Sequence, residues 1–93
     1  MTAALYRTDF PNQCRTHPID GMVLVFHRPS GTTHFLASPA PEILELLAEA
    51  PMDAAELSRK LCDRLDVTLD DEVLTVVETR IAELVGAGLI QAI

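Results

Sequence analysis

Apolar residues change their spacing near residue 38 of this 93-residue chain. Upstream they come as short runs between turn residues; downstream they recur at helical intervals. Met22-Val23-Leu24-Val25-Phe26 is a continuous apolar, β-rich run of strand length, which predicts a central strand covered on both faces. Turns bracket it. Pro18-Ile19-Asp20-Gly21 precedes it, and Asp-Gly readily adopts the positive φ angles of tight hairpins. Arg28-Pro29-Ser30-Gly31 follows: Pro suits the first corner of a type I turn, and Gly takes the left-handed position after it. The pattern predicts a three-stranded antiparallel meander, with strands at about 13–17, 22–27 and 32–36 and the third at an edge. Residues 1–12, interrupted by Pro11-Asn12, carry little periodicity and read as an arm before one domain spanning 13–93.

The rest reads as three helices. Ser38-Pro39 is an N-cap followed by proline at the first helical position, where the missing N–H costs nothing. Ile43, Leu44, Leu46 and Leu47 give one buried face over about 39–49, and Pro51 ends that helix. Asp53 and Glu56 stand at capping-box spacing before a second helix, about 54–65, striped by Leu57, Leu61 and Leu65. Thr68 and Asp71 repeat that spacing before a third, about 69–87, stopped by Gly86 and Gly88, after which Leu89-Ile90 emerge extended. At ~100° per residue, Val73, Val77, Ile81 and Leu84 mark its centre. Leu74 and Val85 widen one flank and Val76 the other. An arc that wide either feeds one small core or leaves a flank for a ligand groove.

Composition narrows the function classes. Hydrophobic residues make up 48%, with no Trp, one Tyr and three Phe, which suits packed helices with a small sheet. The net charge of −7 repels phosphate backbones and anionic lipid, so nucleic acid and membrane surfaces are poor partners and a neutral or basic ligand is favoured. Cys14 and Cys62 fall in different elements and read as reduced thiols rather than a disulfide framework. The opening Met-Thr-Ala-Ala-Leu-Tyr-Arg lacks the apolar run of a signal peptide, and no stretch approaches the ~20 residues of a membrane span, so the expected location is cytoplasmic.

No residue set reads as catalytic. A Cys-His nucleophile would need a histidine beside Cys14 or Cys62 in a cleft, and the carboxylates sit mostly at helix starts, where capping explains them. Gly86-Ala87-Gly88 follows a helix, whereas a phosphate loop precedes one, and no cofactor motif is present. Cys14 and His17, with His27 or His34, have loosely zinc-like spacing, but no Cys-x-x-Cys or His-x-x-x-His pair exists, and exposed hairpin histidines are the expectation. DNA binding is disfavoured by Asp70, Asp71, Glu72, Glu78 and Glu83 against Arg80 alone on the third helix.

The ordered set Asp20-Gly21, the apolar run to Phe26, Pro29-x-Gly31-x-Thr33-His34-x-Leu36, Ile43 to Leu47 and the closing Gly88-Leu89-Ile90 resembles the PqqD-like family. The similarity covers roughly Gln13 to Ile90 and is closest to the branch found beside HPr-kinase-related proteins. It implies an α+β winged helix-turn-helix: a three-stranded antiparallel meander followed by a three-helix bundle. It also implies a non-catalytic peptide chaperone that captures the leader of a ribosomally synthesised precursor peptide and presents it to a modifying enzyme, which the branch suggests is HPr-kinase-related. The leader would add as a strand beside Thr32, Thr33, His34, Phe35 and Leu36. The facing helix surface would be Val76, Arg80 and Leu84, or Leu74 and Ile81 on the other flank. Arg80 either pairs with a leader carboxylate or neutralises Glu78 or Glu83. Two alternatives use the same surface: a protein-docking subunit of a larger enzyme, and a homodimer through the edge strand.

Overall fold

The structure is a computed structural model that describes residues 4–93. It is a small α+β domain in which a three-stranded antiparallel sheet packs on three helices, with a second, smaller sheet alongside. In chain order the elements are β1 (Leu5–Arg7), β2 (Cys14–Ile19), β3 (Met22–His27), β4 (Thr32–Ala37), α1 (Ala40–Glu49), β5 (Met52–Asp53), α2 (Ala54–Leu65), α3 (Asp71–Gly86) and β6 (Gln91–Ala92). The larger sheet has the order β2-β3-β4.

Turn chemistry sets its register. Asp20 and Gly21 both have positive φ (+43° and +80°), the signature of a two-residue hairpin, so Ile19 pairs with Met22. β2 therefore continues through Pro18 and Ile19, two residues beyond the predicted end, and the turn is Asp20-Gly21 alone. The Arg28–Gly31 connection closes as expected, with Gly31 at φ +67° and its N–H donating to the His27 carbonyl at 2.9 Å.

The expectation that β3 is covered on both faces is wrong. Val23, Val25 and His27 turn inward, and Val25 is only 1% exposed. Met22 and Phe26 turn outward and are each 37% exposed, joined on that face by Ile19 and Phe35. An unbroken apolar run does not distinguish a strand buried on both faces from one that carries an apolar surface. His27 is likewise buried rather than an exposed hairpin histidine; its Nδ1 shares a 2.9 Å hydrogen bond with Ser30 Oγ.

The core lies between β3 and the helices. Ile43, Leu44 and Leu47 of α1, Leu57 and Leu61 of α2, and Val77, Ile81 and Leu84 of α3 are all buried, closed below by Met52, Leu89 and Ile90. Leu89-Ile90 bend under α3 instead of extending, and only Gln91–Ala92 form a strand.

Caps depart from the expectations at two helices. Asp53 caps α2 as predicted, accepting from the Glu56 N–H at 2.8 Å. At α1 the helix begins at Ala40, and the Ser38 hydroxyl donates to Glu42 Oε2 at 2.7 Å rather than capping the backbone. At α3 the cap is Asp70, which accepts from the Val73 N–H at 2.8 Å; Thr68 and Asp71 are not the capping pair.

Residues 1–12 are not simply an arm. Leu5–Arg7 forms the centre of the second sheet, order β5-β1-β6, with Tyr6 opposite both Met52 and Ala92. Residues 1–3 lie outside the described residues. Strand β1 is too short to show an alternation, and both partners are two-residue strands, so nothing local marks it.

Candidate functional site

Strand β4 is an edge, and the helix facing that edge is α3. Thr33, His34, Phe35 and Leu36 form one wall of a groove of about 350 Å³, with Arg80, Glu83, Leu84 and Ala87 as the other and Ala40 beside them. The groove settles which flank of α3 adjoins the edge. Arg80 and Leu84 lie one turn apart on it, and Val76, 41% exposed, continues the same stripe a turn earlier. The other flank is elsewhere. Ile81 is buried at 2%, and Leu74 lies against Ala55, Ser58 and Leu69 near the start of α2. Thr32 pairs with His27 at the base of the hairpin rather than lining the groove.

The edge has a defined hydrogen-bonding parity. Because Ile19 and Met22 flank a two-residue hairpin, they exchange both backbone bonds, and alternation gives the same role to Leu24 and Phe26 toward β2. Val23, Val25 and His27 then direct their N–H and C=O groups to β4, where they meet Leu36, His34 and Thr32. Among the described residues no strand pairs with the other side of β4, so Thr33, Phe35 and Ala37 are left with theirs at the open edge. Their side chains point to the outer face, and Phe35 is 64% exposed. His34 and Leu36, by contrast, present side chains toward the helices and backbone toward β3.

The groove holds mixed chemistry. Arg80 Nη1 is paired with Glu83 Oε1 one turn on, both partly exposed, so the guanidinium is already neutralised within α3. His34 Nε2 is buried beneath the sheet side of the groove and has no hydrogen-bond partner among the described residues. Glu83, Ala87 and Ala40 were not anticipated from sequence. Glu83 and Ala87 follow Arg80 at i+3 and i+7, the spacing of one helix face, so periodicity carried that signal.

Other candidate chemistry does not converge. Alternation along β2 puts Cys14 on the helix-facing side and His17 on the outer side, so that pair cannot share a metal with His27 or His34. Among the described residues, no group of three or more His, Cys, Asp or Glu is placed to hold a metal ion. Burial raises the Cys14 thiol pKa, with Asp9 adding to the rise and Arg28 opposing it, the reverse of what activates a nucleophile. Cys62 is buried on α2. Among the described residues, no helix is long and apolar enough to cross a membrane.

No protein-family model, curated protein or solved structure matches this chain.

Proposed function

We propose that this chain is a non-catalytic peptide-binding domain of the winged-helix, PqqD-like type. It captures an extended leader segment of a precursor peptide by strand addition at β4 and presents it to a separate modifying enzyme, HPr-kinase-related by the same resemblance. One observation carries the reading: the free backbone groups of Thr33, Phe35 and Ala37 border a groove whose far wall is Arg80, Glu83, Leu84 and Ala87 of α3. Main-chain pairing to the edge supplies affinity that tolerates sequence variation, and the groove selects alternate side chains of the added strand.

A second reading, a docking subunit of a larger enzyme, draws on the outer face, where Ile19, Met22, Phe26 and Phe35 are exposed together. An amide NMR titration of labelled protein with short peptides encoded beside its gene separates the two. Peptide capture predicts saturable shifts along Thr33–Ala37 and the Val76–Arg80–Leu84 stripe. Saturable shifts confined to the outer face, or none at all from a folded monomer, would move the assignment to docking.

A further inference from the structure

A second hollow continues the line of the groove. It holds about 240 Å³ between the end of α2 and the first half of α3, lined by Pro39, Leu61, Leu65, Val67, Val73 and Val76, with Asp70 and Glu72 at its rim. Leu65, Val67 and Val76 are 39%, 53% and 41% exposed, so its apolar lining is open to solvent. Val76 lines this hollow and Arg80 the groove, a single turn apart. Pro39 of the hollow directly precedes Ala40 of the groove, and β4 leads to both. A strand laid on Thr33–Ala37 and extended past Ala37 arrives at this hollow.

Its electrostatic setting differs from that of the sheet. Between Arg64 and Arg80 the chain carries no Lys or Arg, while Asp70 and Glu72 stand at the hollow. Among the described residues neither is in an ion pair. The meander is the opposite, with Arg15 and Arg28 against Asp20 alone. The overall charge of −7 is therefore concentrated on the helical side, and this apolar hollow is open within it.

We infer that the hollow seats a large apolar side chain of the bound peptide, flanked by lysine or arginine that meets the acidic rim. Resting on the strand-addition reading, this names the ligand class: an extended segment followed by a basic, apolar-anchored one. An acidic segment is repelled at the same place, so the rim selects as well as attracts. Because the rim is solvent-exposed, the preference weakens with salt.

The test is a selection from a displayed library of random 12-residue peptides on the native chain, on T33P and on the rim variant E72K. On the native chain, enriched peptides carry Lys or Arg beside Phe, Leu, Ile or Met, and their affinity falls about fivefold on E72K. The conservative variant E72Q shifts it in the same direction by less, which guards against damage to the start of α3. T33P enriches nothing. Enrichment without a basic bias, still lost on T33P, overturns this inference and leaves strand addition standing. Basic peptides that still bind T33P overturn the strand-addition reading and, with it, the hollow as its continuation. No enrichment on the native chain overturns both.

Discussion

The two flanks of α3 carry similar residues and differ in what lies across from them. On one, Val76 is exposed, and Arg80 and Leu84 line a groove whose far wall is the bare edge of β4. On the other, Ile81 is buried, and the small β5-β1-β6 sheet brings Tyr6 and Ala92 alongside Ala82 and Val85. Hydrophobicity alone does not decide between them, since valine and leucine occur on both. What decides is which strands arrive. The N-terminal strand comes alongside the Ile81 flank, where Ile81 is buried and Val85 stays 38% exposed, whereas β4 stops short of covering the Val76 flank and, among the described residues, leaves its own edge unpaired.

That difference can be broken by mutation. The largest effect is expected at the buried flank. Ile81→Ala removes a core side chain and should cost about 3 kcal/mol, while Val76→Ala should cost well under 1 kcal/mol by urea denaturation. Equal losses would mean that the two flanks are equally packed. Next come prolines on adjacent residues of β4. Thr33→Pro removes an N–H that faces the open edge and should keep the fold while lowering peptide affinity at least tenfold. His34→Pro removes an N–H bonded to β3 and should destabilise the domain itself by about 3 kcal/mol or more. Thermal unfolding of the two variants checks the parity directly; similar melting temperatures would refute it.

Tyr6→Ala sharpens the other side. It should lower stability by about 1–3 kcal/mol through lost cover at the Ile81 flank and leave peptide affinity unchanged, measured by denaturation and fluorescence anisotropy respectively. Arg80→Ala should do least. Its ion pair with Glu83 is solvent-exposed and within one helix, so a stability change under about 0.5 kcal/mol is expected by the same denaturation assay.

Much of this architecture was legible in the sequence where the local signal was chemical. Asp20-Gly21 and Gly31 announced their turns, Asp53 its cap, and the 3.6-residue spacing of Ile43, Leu44, Leu47, Val77, Ile81 and Leu84 the buried faces. The edge Thr33–Leu36 and the Arg80–Leu84 stripe were legible as two surfaces. That they face each other came only from the resemblance, which left the flank open, because their meeting is set by packing between distant elements. Strand β1 was illegible because three residues bonded to two-residue partners carry no periodicity. The outer face was misread because a strand with apolar residues on both faces looks the same whether or not something covers the second. The hollow at Leu65, Val67 and Val76 was missed for a related reason: Leu65 belongs to a helical stripe, and only the αL residue Asp66 at the end of α2 turns the chain so that Val67 joins it.

Amide hydrogen exchange at three residues tests the central claim most directly. In the free protein the N–H groups of Thr33, Phe35 and Ala37 face solvent and should exchange fast, while those of His34 and Leu36, bonded to β3, are protected. With a saturating peptide encoded beside the gene, Thr33, Phe35 and Ala37 should become protected by at least tenfold, restoring an unbroken ladder along β4. A peptide that binds and leaves those three exchanging at their free rates would contradict strand addition.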